Sequence, residues 1–157
     1  MGAIESIMAR RQTTAGQWLI VDRFDESASK AVGKLKRGSG VLLVRPLKKA
    51  QRRQLNRIAH RGALTVASEY QGEAARVHNS AELRRALLRR VPMILLSPIF
   101  PTNSHPDWHP IPRMRAATLA RLANRRLLAL GGMNAKRYAD VARLGFIGWA
   151  GISAFRT

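Results

Sequence analysis

The sequence predicts a single α/β domain built on a parallel sheet of about seven strands. Three observations carry that expectation. The apolar runs are short and continuous rather than alternating, as in strands covered on both faces. They take turns with amphipathic stretches, the mark of βαβ units. The 157 residues, 46% of them hydrophobic, suffice for one core and fall short of two ordinary domains.

The elements follow in order. Trp18 to Val21 reads as the first buried strand, and Ser27 to Arg37 as a helix ending near Gly38. Val41 to Val44 is the next strand and Lys49 to His60 the next helix. Ala63 to Ala67 reads as a strand, with a polar stretch through Gly72 and a short strand from Ala74 to Val77. Asn79 or Ser80 caps a helix through Arg90, with Glu82 in its first turn, where a carboxylate suits the helix dipole. Met93 to Leu96 is a strand, Pro98 to Pro112 a proline-rich loop, and Arg113 to Asn124 a helix. Leu127 to Leu130, Asn134 to Leu144 and Phe146 to Ala150 complete the chain as strand, helix and strand. Residues 1–17 read as an N-terminal extension and a candidate for disorder, and 18–157 as the domain. A full eight-unit barrel takes about 250 residues, so periodicity leaves two options: a shortened barrel or an open doubly wound sheet.

Charge and composition narrow the function classes. Lysine and arginine total 28 against 9 acids, a formal +19, which favours anionic ligands. The basic residues are spread along the chain, and its nine aromatics form no stacking strip, so a specific nucleic-acid reader is not expected. There is no cysteine, which excludes disulfides and thiolate metal sites and makes a reducing cytoplasm the expected compartment. No apolar run reaches the roughly 18 residues of a membrane span. His105, Asp107 and His109 have a spacing that suits a metal only on an extended segment, and no further ligands cluster nearby.

Two segments carry chemistry. In Leu127-Leu128-Ala129-Leu130-Gly131-Gly132-Met133-Asn134 a buried strand ends in two glycines just before a helix opens. Glycines let the backbone approach an oxyanion, and a helix start presents free N–H groups. The alternative is a tight strand-to-helix turn with no ligand. Gly148 to Ala154 is a second strand running into small residues, and in a barrel the loops after the last two strands are the usual phosphate site. Ile99 to Pro106 gathers hydroxyls, an amide and an imidazole on a proline-framed loop, as a binding site needs and as many plain surface loops also do.

The strings "SPIFPTNSHPD" and "LLALGGMNAKRYADVARLGFIGWAGISAF" resemble the second half of the thiamine-phosphate synthase and thiazole tautomerase (TenI-type) superfamily. That family carries a V-F-P-T-x-T-K-P type loop, then A-I-G-G-I/M, then G-I/V-A-V-x-S. "VHNSAELRRALLRR" resembles its S-x-H-S-L-E-E-A segment, and "WLIVDRFD" and "VLLVRPLKK" resemble its first two strands more weakly. The resemblance implies a TIM-barrel-like fold, reduced by one βα unit between Tyr70 and Ala74 and by the final helix. It also implies a thiamine biosynthesis role with a phosphorylated partner, thiazole phosphate or thiamine phosphate. On it, Gly131, Gly132, Ile152 and Ser153 offer N–H groups to the phosphate, and Arg45, Thr102, Ser104 and His105 line the substrate pocket. His78 matches the histidine that the tautomerase branch uses as acid and base, a role suited to a group that titrates near neutrality. A local reading of His78 is a hydrogen-bonder beside the Asn79 helix start.

The departures from the family pattern bear on activity. Of Q-L-R-E-K only Arg45 stays in place, with Lys48 one step off. The N-D-R segment reads Val66-Ala67-Ser68-Glu69-Tyr70, the loop lysine is His105, and the small polar residue before the histidine is Arg76. The family implies Mg²⁺, whose aspartate ligands have no counterpart here, so no metal residues are expected. A tautomerase-like isomerase or a non-catalytic, regulatory phosphate-binding relative stay open beside a synthase, and a basic nucleic-acid-binding protein is a further alternative that rests on charge alone. A shortened barrel exposes strand edges, so either a homodimer or a loop covering the gap near Tyr70 to Glu73 is expected.

Overall fold

The structure, a computed structural model, describes residues 16–124 and 126–156; most of the N-terminal extension lies outside them. Seven strands form one sheet: β1 (Gln17–Val21), β2 (Gly40–Leu43), β3 (Thr65–Ser68), β4 (Ala74–Val77), β5 (Met93–Leu96), β6 (Leu127–Ala129) and β7 (Gly148–Gly151). Their order is β3-β2-β1-β7-β6-β5-β4, and every pairing is parallel. Five α-helices lie between them: α1 (Glu26–Gly33), α2 (Lys49–Gly62), α3 (Ser80–Leu88), α4 (Arg113–Leu122) and α5 (Ala135–Val141).

Between the two options left by periodicity, the inner face decides for the barrel. Trp18 and Ile20, Leu42, Ala67, Ala74, Met93 and Leu95, Leu128 and Ala150 form one buried cluster, with at least one member from each strand. A flat sheet cannot bring β3 and β4, its two ends, into a common core. The sheet is therefore curled into a reduced TIM-barrel-like half-barrel. Strand alternation then places the other set outward. Leu19, Val21, Val41 and Leu43 pack with α1 and α2, while Val77, Ile94, Leu96, Leu127 and Ala129 pack with α3, α4 and residues of α5.

β3 and β4 do not pair, and the chain crosses this seam without a helix. A 3-10 turn at Glu69–Gln71, closed by Gly72, connects the two strands. Glu73 N–H donates to the Ser68 carbonyl, and Ser68 N–H to the Glu73 carboxylate at 2.6 Å. Arg52 Nη2 reaches the Tyr70 hydroxyl at 3.2 Å from α2.

Several boundaries differ from the sequence expectation. α1 ends at Gly33 rather than near Arg37, because Lys34 and Leu35 turn back with 3-10-type bonds. The expected strand from Ala63 starts two residues later: Ala63 is the left-handed cap of α2 (φ 49°), and Leu64 N–H bonds back to Ala59 O. The expected helix Asn134 to Leu144 stops at Val141 and tightens into a 3-10 turn that ends at Gly145. Among the described residues no helix is long and apolar enough to cross a membrane.

Candidate functional site

A cavity of about 640 Å³ opens at the C-terminal end of the strands. Its lining joins segments far apart in sequence: β4 and its extension, the Pro98–Pro112 loop, the β6–α5 turn and the end of β7. Of the residues expected at the site, His78, Thr102, Ser104, His105, Gly131, Gly132, Ile152 and Ser153 all line it.

Arg45 does not line it. Leu42 on β2 and Val44 just past its end pack into the interior cluster, so Arg45 falls out of phase with the barrel interior. Its side chain is exposed and pairs with Asp22 at 3.0 Å. The expectation of Arg45 in the pocket is corrected accordingly.

The β6–α5 turn is shaped by its glycines. Gly131 and Gly132 both have positive φ (97° and 59°). A Cβ on Gly131 would sit 2.8 Å from Pro98 Cα, and one on Gly132 would strike the Pro101 carbonyl oxygen. The turn is thus pressed against the proline loop, and hydrogen bonds hold it there: Ile99 N–H to Leu130 O at 2.9 Å and Phe100 N–H to Gly131 O at 3.1 Å. The N–H groups of Gly131, Gly132, Ile152 and Ser153 have no acceptor among the described residues. The residues that carry these four donors line one cavity from two turns, an arrangement that suits an oxyanion.

Arg137 was not anticipated from sequence. Asn134 caps α5, its side chain accepting from Arg137 N–H at 2.8 Å. The Arg137 guanidinium turns back over the Phe100 ring, 5.1 Å from its centroid, and donates to Gly132 O. It braces the glycine turn and adds positive charge to the cavity wall. The cap at Asn134 was the available signal, because it fixes which residue occupies the first helical turn.

His78 sits one residue before the Asn79 cap of α3. Its Nδ1 lies 2.9 Å from Glu82 Oε2, and its backbone N–H donates to the same oxygen at 2.8 Å. The hydrogen bond from the His78 ring holds the Glu82 carboxyl below its ordinary value of 4.5, against a smaller opposing effect of burial. In the tautomer whose Nδ1–H donates to the carboxylate, Nε2 is left as the acceptor that faces away from Glu82. Trp108 meets His78 edge-on at 5.0 Å and stacks on His105 at 4.1 Å, so the proline loop is tied to the catalytic candidate through one indole. Trp108, on an irregular loop, carried no periodicity that would have marked it.

Among the described residues no carboxylate lines the cavity. Glu69 and Glu82 hold Arg76 and His78, which do line it. Among the described residues no three His, Cys, Asp or Glu side chains gather to hold a metal. The donor set does not fit a magnesium ion, which prefers several oxygen ligands including carboxylates.

A curled parallel sheet of seven strands covered by helices defines a protein of the reduced TIM-barrel-like class. The thiamine monophosphate synthase family model matches residues 74–155, just over half of the chain. The chain belongs to that family, the TenI-type thiamine-phosphate synthase superfamily. Thiamine phosphate pyrophosphorylase from Pyrococcus furiosus shares the fold, with a TM-score of 0.69 at 16% identity over 93% of this chain and 88% of that one. No curated protein matches the sequence significantly.

Proposed function

We propose that this protein binds a thiazole phosphate in the cavity at the C-terminal end of its barrel. The observation that carries the reading is that Gly131, Gly132, Ile152 and Ser153, whose backbone N–H groups have no acceptor among the described residues, line one cavity from two turns. Arg137 braces that turn and contributes charge. Thr102 and Ser104 supply hydroxyls from the facing loop. Calorimetric titration with thiazole phosphate tests it. Saturable binding is expected, and Gly132→Val should abolish it, since the new side chain fills the turn. A folded Gly132→Val variant of undiminished affinity would remove the basis for the site.

A second reading concerns chemistry at the bound ring, and the His78–Glu82 pair favours it. A histidine held by a carboxylate, with its other nitrogen free, is suited to shift a proton on a heterocycle. A tautomerase-like isomerisation needs one such group and a held phosphate. Full synthase chemistry asks more, because a diphosphate leaves and its charge must be neutralised. Among the described residues the cavity has no carboxylates for the metal that commonly does this. Synthase turnover with Mg²⁺ is therefore expected far below an ordinary kcat of about 10 s⁻¹. Parallel synthase and tautomerase assays separate the two chemistries.

A further inference from the structure

We propose that the outward face of α2 docks on the phosphate backbone of a nucleic-acid duplex, without reading its sequence. The inference is independent of the ligand reading, because no residue of α2 lines the cavity.

α2 runs from Lys49 to Gly62 without an acidic residue. Its buried residues, Leu55 and Ala59, fix the side turned to the core. Lys49, Arg53, Arg57 and Arg61 are all exposed. Their four-residue spacing sets them in one row, about 6 Å apart and about 18 Å from end to end. At about 100° per residue, that row is centred on the side opposite Leu55 and Ala59. Among the described residues none of the four makes an ion pair. Arg37, from the α1–β2 connection, adds a fifth cation at the far end, its Nη1 donating to Arg61 O at 3.4 Å.

Like charges four residues apart repel one another and weaken a helix. A basic surface does not need such an alignment, and the other helices lack it. Lys30 of α1 pairs with Glu26 at 2.8 Å, the exposed positions of α3 and α4 include Leu88 and Met114, and α5 carries Asp140. The partner follows from what the α2 face contains and what it lacks. Evenly spaced cations suit evenly spaced fixed anions, and a phosphodiester backbone is such a row. α2 has no aromatic residue on which the bases of a single strand could stack. Its outward row has no apolar residue to enter a bilayer, as a membrane-surface helix needs. Phosphate contacts alone position a duplex and carry no sequence information.

The test is fluorescence anisotropy with short labelled DNA and RNA duplexes of one mixed sequence, titrated with the full chain at several salt concentrations. Four phosphate contacts give a slope of about −3.6 in log K against log salt, a loss of about a hundredfold between about 0.05 M and about 0.2 M. Arg53→Gln combined with Arg57→Gln should lower that slope by about 1.8 and weaken binding about tenfold or more at low salt. Arg84→Gln combined with Arg121→Gln removes the same charge from exposed positions on α3 and α4 and should change the slope by less than about 0.5. Glutamine keeps helix propensity and relieves the repulsion, so the row variant should melt no lower than the wild type. Should it fail to fold, Arg57→Gln alone is expected to lower the slope by about 0.9. Either duplex bound in this way supports the proposal, and the tighter one names the source. Equal losses in the two double variants mean that net charge alone acts, and overturn it. So does tighter binding of the single strand of the same sequence, tighter binding of phosphatidylserine vesicles at equal anionic charge, or displacement of the duplex by thiazole phosphate.

Discussion

His78 directs both its ring Nδ1 and its backbone N–H at one oxygen of Glu82, and the carboxyl responds by titrating below 4.5. A carboxyl whose folded value is depressed contributes stability that is complete above its unfolded value and is lost as the pH falls through the folded one. The melting temperature of the wild type should therefore drop more steeply below about pH 4.5 than that of Glu82→Gln. Parallel melting curves from about pH 6 to about pH 3 check this, and equal slopes would mean the pair adds nothing to folding. The same variant frees the ring, so isomerase turnover should fall while thiazole phosphate affinity holds. At this scale the sequence was readable where a residue type is tied to a backbone role. Gly131, Gly132 and His78 were placed from the motif alone. Arg45 was misplaced because the motif register gives position along a strand and says nothing of the face. Arg76 and Trp108 depend on strand phase and on a loop path, neither of which a residue type encodes.

Elements were more legible than their ends. Continuous apolar runs marked most of the strands, since a strand covered on both faces has no polar position to alternate with; β4, with Arg76 on it, is the exception. The ends moved where the backbone closes on itself. Ala63 caps α2 with positive φ although nothing but glycine or asparagine usually announces such a cap. Asn79 was legible as a cap, and its side chain accepts from Glu82 N–H at 2.9 Å. It also sets the first turn from which Glu82 reaches His78. Asn79→Ala should lower stability by about 1 kcal/mol and, with it, disturb the His78 contact. Chemical denaturation reads the first effect and isomerase turnover the second. In the barrel interior, Leu95 is fully buried among residues from several strands. Leu95→Ala should cost about 2–5 kcal/mol, the cavity lying below the site and bounded by strands that cannot collapse inward. A loss below about 1 kcal/mol would argue against a closed inner core.

For the whole molecule, the charge of +19 acts on folding and on binding with opposite signs. Only three ion pairs join a lysine or arginine to an acid among the described residues, so most cations are not matched by a neighbouring acid. Mutual repulsion of this kind weakens the compact state, and salt relieves it once the screening length falls below about 10 Å, near 0.1 M. Raising sodium chloride from about 0.05 M to about 0.5 M should therefore raise the melting temperature. The same screening should lower affinity for an anionic ligand, whose attraction to the cavity is partly long-range. Phosphate is the discriminating ion, because it both screens and is expected to bind at the glycine turn. At a phosphate concentration a hundredfold above its Kd, site binding adds about 2.7 kcal/mol to stability beyond screening. Compared at equal ionic strength, phosphate should stabilise more than chloride, and thiazole phosphate should reproduce the increment at far lower concentration. Identical melting temperatures in chloride and phosphate at matched ionic strength would leave the charge as a property of the surface alone. An increment in phosphate that persists when Ser153 is replaced by proline, which removes one of the four donors, would move the binding away from this turn.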